Sequence, residues 1–250
     1  MSHSDQKLIF QAWNPVTGCS KFSSGCKNCY ALPIALKLKQ QGNIHYKNGF
    51  EISLHQDKLA KPLSWKKPKL IFVNSMSDLF HEKVPLDFIQ QIFNIIEQSK
   101  QHIFIILTKR AERLFKLSTK LKWHENIALG VTVESKHYLY RLKLLQQIQA
   151  QTRFVFFEPL LSLIENIDFA GIHWALVGGE SGQNARKMLP EWVTSIKNQC
   201  RQANVPFYFH QWGDKRTHDN LIDGKSHLEF PQSWLNILEN SPKQIQLSLN

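Results

Sequence analysis

From Leu70 onward the chain alternates short apolar, β-branched runs with stretches that are amphipathic at a helical period, and this alternation limits the fold more than any other feature. Leu70–Asn74 reads as a buried parallel strand. Residues 86–100 read as a helix: Leu86, Ile89, Ile92, Phe93 and Ile96 share one face, Asp87, Gln90, Gln91 and Asn94 the other, and Pro85 suits the first turn. The same reading gives strands at His102–Leu107, Ile127–Val133, Arg153–Phe157, His173–Val177 and Val205–His210, and helices at 111–122, 136–150 and 190–203. Upstream, Leu8–Trp13 reads as a first strand, followed by a cysteine-bearing loop and a helix from about Tyr30 to Gln41. Seven strands mostly separated by helices, joined by right-handed crossovers, predict a single-domain α/β fold: an incomplete or irregular (β/α) barrel. A doubly wound open sheet is the alternative.

Two segments break the alternation. Residues 43–69 are too long for a plain connection and read as an insertion after the first β/α unit. Residues 213–235 carry Asp223-Gly224, a hairpin-turn pair, and read as an appended small β element. The barrel domain is expected over 1–235 and a peripheral tail over 236–250.

A chain of 250 residues is long enough for one such barrel. Hydrophobic residues make up 42% and charged residues 20%, a globular balance, and no apolar run approaches the roughly 20 residues of a membrane helix. The opening Met1-Ser2-His3-Ser4-Asp5-Gln6 lacks the basic and apolar regions of a secretory signal, so a cytoplasmic protein is expected. Lys and Arg exceed Asp and Glu by 11, which argues for an anionic partner, with nucleic acid first.

In β/α barrels the chemistry sits at the C-terminal ends of the strands. Here those ends are polar: Asn14, then Asn74-Ser75-Met76-Ser77-Asp78, Thr108-Lys109-Arg110, Thr132-Val133-Glu134, Glu158-Pro159, Gly178-Gly179-Glu180-Ser181-Gly182 and His210-Gln211. A polar pocket over the barrel mouth is expected, with His81 and His210 the histidines nearest it.

The loop after the first strand carries Cys19, Cys26 and Cys29, spaced Cys-x6-Cys-x2-Cys. In a reducing compartment such a group binds metal or does redox chemistry sooner than it forms disulfides. Thiolates select zinc or iron–sulfur clusters, and a structural zinc site wants four protein ligands. Cys200 falls on the apolar helix stripe Val193, Ile196, Cys200, Ala203 and reads as a core residue. Three thiolates without a fourth leave one iron of a [4Fe–4S] cluster open to another ligand. Gly18 and Gly25, each preceding a cysteine, allow close wrapping of backbone.

At this point the chain resembles a phage-associated, three-Cys-motif family of unknown function, itself similar to the radical S-adenosylmethionine (radical SAM) enzymes. The resemblance rests on Trp13-Asn14-Pro15-Val16-Thr17-Gly18-Cys19, Gly25-Cys26-Lys27-Asn28-Cys29-Tyr30, Phe72 to His81, Leu107-Thr108-Lys109-Arg110, Val177 to Gly182, Ile222-Asp223-Gly224-Lys225 and Phe230-Pro231, and covers roughly residues 11–235. It implies a radical-SAM-like partial barrel with a [4Fe–4S] cluster on Cys19, Cys26 and Cys29. It also implies S-adenosylmethionine as cofactor, an electron donor as partner, and reductive cleavage to a 5′-deoxyadenosyl radical. Ser77 and Asp78 are then expected near the cofactor's amino group, with Glu134, Glu158 and Glu180 as further contacts to its polar atoms. The chain departs from the common radical SAM pattern in three ways. Six residues separate its first two cysteines where three are usual. Asn28 precedes the last cysteine where an aromatic is usual. Gly178-Gly179-Glu180 comes late, with Ser77-Asp78 at the second strand end instead.

Two basic stretches are candidates for a nucleic acid or nucleotide-like anion. Lys109, Arg113, Lys116 and Lys120 fall on one helical face opposite Leu114, Leu117 and Leu121. Lys58, Lys61, Lys66, Lys67 and Lys69 surround Trp65, which suits phosphates and one stacked base. Solvated lysines and a core tryptophan are the plain alternative. Gly224-Lys225-Ser226 lacks the earlier glycine and the buried strand of a phosphate loop. Two function classes remain: a radical SAM-type enzyme, and a non-catalytic nucleic-acid-binding protein stabilised by iron–sulfur or zinc.

Overall fold

The computed structural model describes residues 10–213 and 220–234. Seven strands form one sheet: β1 (Phe10–Trp13), β2 (Leu70–Val73), β3 (Ile103–Thr108), β4 (Ile127–Thr132), β5 (Thr152–Phe157), β6 (Trp174–Gly178) and β7 (Phe207–Gln211). Every neighbouring pair is parallel, and the order across the sheet is the order along the chain. That order excludes the doubly wound alternative, which must reverse direction partway. When every right-handed crossover steps the same way, all helices fall on one face and the sheet curls around the other. β1 and β7 are its two edges, so the curl is a half-barrel.

The helices are α1 (Ala31–Gln40), α2 (Leu86–Gln98), α3 (Ala111–Ser118), α4 (Leu139–Gln146) and α5 (Pro190–Gln202). α2 buries Phe88, Ile89, Ile92, Phe93 and Ile96, each stabilising by roughly 1.5–3 kcal/mol. α3 ends at Ser118, short of the expected 122, because the Trp123 indole donates to the Ser118 carbonyl and turns the chain. α4 opens as a 3-10 turn, Lys136–Tyr138, rather than as α-helix from 136.

The period-2 alternation divides the strands between two cores. Ile71, Val73, Phe104, Ile106, Leu129, Val131, Val155, Val177 and Phe209 pack in the cluster that includes the helices' buried faces. Leu70, Ile103, Ile105, Ala128, Phe154, Trp174, Leu176 and Tyr208 fill the concave side. Gly130 belongs to that side because a Cβ there would stand 2.3 Å from the Phe154 ring.

The hairpin Leu221–Ile222/Lys225–Ser226 turns on Asp223 and Gly224, at φ 49° and 72°. Beyond it, Phe209 N donates to His227 O (2.8 Å) and Glu229 N to Phe207 O (3.2 Å), which extends the sheet past β7. Trp234 and Phe230 then stack on Trp174, with ring centres at 5.1 and 5.6 Å. These rings plug the lower half of the concave face, near the starts of the strands. The upper half, at the strand ends, is left to the cysteine loop. The tail 236–250 lies outside the described residues.

Candidate metal centre

The cysteine loop is placed by exchange between the ends of β1 and β2. Asn74 N donates to Trp13 O (2.8 Å), Val16 N to the Asn74 side chain (3.1 Å), and Ser75 N to the Asn14 side chain (2.8 Å). Asn74 sits at φ 58°, a left-handed position that asparagine tolerates. Val16–Thr17 then pairs antiparallel with Ser53–Leu54 of the segment between α1 and β2. Gly18 is at φ 78°, and a Cβ there would stand 2.1 Å from the Glu51 carbonyl, so only glycine carries the chain to Cys19. Ser77 Oγ donates to Gly18 O (2.6 Å), and Cys19 N to Phe50 O (3.1 Å).

Three further strand ends clamp the loop. After β2 and β3, Asp78 accepts from Thr108 Oγ1 (2.7 Å), Phe80 N (3.0 Å), Lys109 N (3.2 Å) and Arg110 Nη1 (3.2 Å). Arg110 is buried. It also reaches both Glu82 oxygens, the Ser20 carbonyl and hydroxyl, and Cys19 Sγ at 3.8 Å. After β4, Glu134 is fully buried. It accepts from Ser23 Oγ, Gly25 N (3.2 Å) and Arg141 Nη1 (2.8 Å). After β6, Glu180 accepts from Asn28 Nδ2 (2.9 Å) and from Arg186 N and Nε (2.9 and 2.8 Å), while Arg186 Nη2 donates to Ser24 O (2.9 Å). Asp78, Glu134 and Glu180 thus each hold one stretch of the loop. Glu158 lies apart from it, bonded to His210 Nδ1 (2.7 Å) and Gln211 Nε2 (3.2 Å).

Cys19, Cys26 and Cys29 are all partly exposed, whereas Cys200 is buried on α5 with Val193 and Ile196. Burial pushes the Cys200 thiol up to about 12. Burial, with the Asp78 carboxylate added, pushes Cys19 up to about 11 against the pull of Arg110. Burial also acts on Cys26, but the Lys109 ammonium and hydrogen bonds from Phe22 and Ser23 outweigh it and lower its pKa. The three sulfurs do not all lie within 4.8 Å of one another. A single tetrahedral zinc would hold its thiolates about 3.8 Å apart.

The predicted basic residues separate. Lys109 faces the cysteine loop. Arg113 donates to the carbonyls of His81 and Val84 (2.7 Å to the latter), and Lys116 and Lys120 are exposed. Lys66 and Lys67 are exposed just before β2, at the opposite end of the sheet from the loop. Trp65 is half-buried, edge-on to His102 at 6.0 Å, with Lys61 and Lys69 over its ring at 5.9 and 5.8 Å. His81, expected near the mouth, bonds Ser20 Oγ (2.7 Å). Sequence reasoning missed Arg141, Arg186, Asn28 and Tyr138, whose hydroxyl accepts from Ser24 N (3.1 Å). The only available signal was a lone arginine seven residues after Glu134 and six after Glu180.

Fold and site together define the class: an α/β half-barrel whose three-thiol loop is clamped over the C-terminal ends of its strands. The chain belongs to a family described as a protein of unknown function (DUF5131), whose model matches residues 4–237. No curated protein matches it. Among solved structures it is similar to a spore photoproduct lyase double mutant with bound AdoMet and dinucleoside spore photoproduct. The identity is 11% and the TM-score 0.46, over 96% of this chain and 62% of that one. It is also similar to spore photoproduct lyase complexed with dinucleoside spore photoproduct, at 11% identity and TM-score 0.47, over 99% and 67%. The chain therefore spans about two thirds of the length of these neighbours. No helix among the described residues is long and apolar enough to cross a membrane.

Proposed function

We propose that Cys19, Cys26 and Cys29 hold a [4Fe–4S] cluster with one iron left to S-adenosylmethionine, and that the protein is a radical SAM-type enzyme of the reducing cytoplasm. One observation carries this reading. Three thiols on one loop are fixed over the polar mouth of a parallel half-barrel, while the remaining cysteine is sequestered in the α5 core. The donor set fits: three soft thiolate ligands, with Cys200 buried elsewhere, suit a cluster with one iron left open. When bound, such a group supplies the electron that cleaves S-adenosylmethionine to methionine and a 5′-deoxyadenosyl radical.

The chain's own residues supply position and charge. Arg110 beside Cys19 and Lys109 beside Cys26 offset the negative charge of the thiolates. Ser77 and Asp78 are proposed for the cofactor's ammonium, and Glu134, Glu158 and Glu180 for its other polar atoms. Asp78 and Glu180 each already accept four hydrogen bonds, about the capacity of a carboxylate, so a ligand group there would take the place of one of these bonds.

The test is anaerobic purification, iron and sulfide assay, then incubation with S-adenosylmethionine and a strong reductant standing in for the electron donor. 5′-Deoxyadenosine and methionine are expected. Stoichiometric zinc without iron would leave the second class, a metal-stabilised nucleic-acid-binding protein.

We further propose that the substrate is a nucleic acid or nucleotide-like anion, on the strength of the +11 charge. Affinity for labelled oligonucleotides should fall with salt by roughly 0.7–0.9 log units per log unit of salt for each phosphate neutralised. If the segment before β2 lines the binding path, charge reversal of Lys66 and Lys67 should weaken binding and flatten that slope by about 1 per residue, and Trp65→Ala should cost about 1–3 kcal/mol if a base stacks there. Mutants that bind as wild type does would leave a basic enzyme acting on a small molecule.

A further inference from the structure

Beside the cysteine loop lies a second group of ligating side chains that the proposed chemistry does not use. His45, His55 and Asp57 each offer one donor atom, and the three atoms lie within 4.8 Å of one another. Among the described residues it is the one such group of three. We propose that these residues form a binding site for a divalent first-row transition ion, with Zn²⁺ the best match to two imidazoles and a carboxylate.

The ligands are held from outside the site. Asn43 Oδ1 accepts from His45 N (3.0 Å) and fixes the turn that carries His45. His55 N donates to Pro15 O (2.8 Å). The turn bearing Asp57 is pinned by the buried Trp13 indole, which donates to Lys58 O (2.8 Å). None of the three anchors involves the ion, so the fold itself gathers the ligands.

Thr17 is the orienting residue. Its hydroxyl donates to His45 O (3.1 Å) and so accepts from His55 Nε2 (2.8 Å). That bond puts the proton of His55 on Nε2 and leaves the lone pair on Nδ1. A neutral imidazole with its other nitrogen hydrogen-bonded is the usual state of a ligating histidine. The His45 and His55 rings meet edge-to-face at 4.8 Å, and His45 Nε2 is 2.8 Å from Asp57 Oδ2. An ion at about 2.0–2.2 Å from each ligand needs donors about 3.3 Å apart, so His45 and Asp57 part by only about 0.5 Å to admit it.

Three protein ligands leave a coordination position for water or an oxygen of a bound molecule. The site also sits on the hairpin that delivers Cys19, since Thr17 lies two residues before it and pairs with Ser53. Loading the ion would tie the segment between α1 and β2 to the base of the cysteine loop.

The test uses Zn²⁺ and Co²⁺ as probes on the full-length chain. With Cys19, Cys26 and Cys29 all replaced by Ala, equilibrium dialysis should still find one Zn²⁺ per chain. His55→Ala and His45→Ala should each weaken it at least tenfold, and Thr17→Val by about 10–100-fold. Asp57 is exposed, so Asp57→Asn leaves the fold intact and should also weaken binding at least tenfold. Should the triple-cysteine variant fail to fold, Co²⁺ added to the otherwise wild-type chain separates the sites. Imidazole and carboxylate ligation gives visible bands without thiolate charge transfer, and Asp57→Asn should abolish those bands. Zn²⁺ affinity unchanged by His45→Ala and Asp57→Asn, or no thiol-free binding at all, overturns the proposal and reduces the group to an ordinary His–Asp ion pair. Neither outcome depends on whether the thiols hold a cluster.

Discussion

Replacing Cys19, Cys26 or Cys29 singly by Ala is expected to abolish the iron content and visible absorbance of anaerobically prepared protein, while Cys200→Ala keeps both. The expected effect is all-or-none because in the proposed cluster each thiolate would hold a different iron, and two ligands do not replace three. The contrast with Cys200 follows from packing. Its sulfur is buried against Val193 and Ile196 on α5, and burial holds it as a thiol. Cys200→Ala therefore costs packing energy and no ligand. Iron retained in any of the three loop variants, or lost in Cys200→Ala, would falsify the ligand assignment.

The largest stability effect is expected at Arg141. Arg141 and Glu134 are both fully buried, 2.8 Å apart, and Arg141 also donates to Thr132 O at 2.9 Å. The Tyr138 ring covers the guanidinium at 4.1 Å. Arg141→Ala leaves the Glu134 carboxylate desolvated and unpaired, which costs about 3–5 kcal/mol. Replacing both partners, Arg141→Met with Glu134→Gln, should recover much of that loss because no charge is left behind. Urea denaturation of the four proteins in the cycle measures the coupling. The single variant should also load iron poorly, since Glu134 is the acceptor for Ser23 Oγ and Gly25 N on the cysteine loop. A loss below about 1 kcal/mol would mean that water reaches Glu134 and that the clamp is not rigid.

The alternation of apolar runs and amphipathic stretches was enough to place all seven strands. Each is a local segment whose β-branched residues and flanking turns are written consecutively. Helix ends were less legible, because they depend on partners distant in sequence. The Trp123 indole ends α3, and nothing in the run 111–122 announces it. The polar strand ends were legible as a group because a parallel sheet brings all its C-terminal ends to one side, whatever the connections between them.

What each polar residue does there was not legible. Asp78, Glu134 and Glu180 read as groups facing a bound cofactor. The structure shows that they also brace the loop, through Arg110, through Ser23 and Gly25, and through Asn28 and Arg186. Those bonds span 109 to 152 residues between Glu134 or Glu180 and the loop, and no period or spacing encodes such pairs. The basic stretches show the same division. A helical projection set Lys109, Arg113, Lys116 and Lys120 on one face, but tertiary packing turned Arg113 to backbone carbonyls and Lys109 toward Cys26. It also set Lys66 and Lys67 at the far end of the sheet. By itself the sequence determined the elements and their order, because burial of alternating apolar faces is a local property of the chain. Only the tertiary structure decided which carboxylates hold the loop and which histidines converge, because those contacts exist only once the half-barrel has curled.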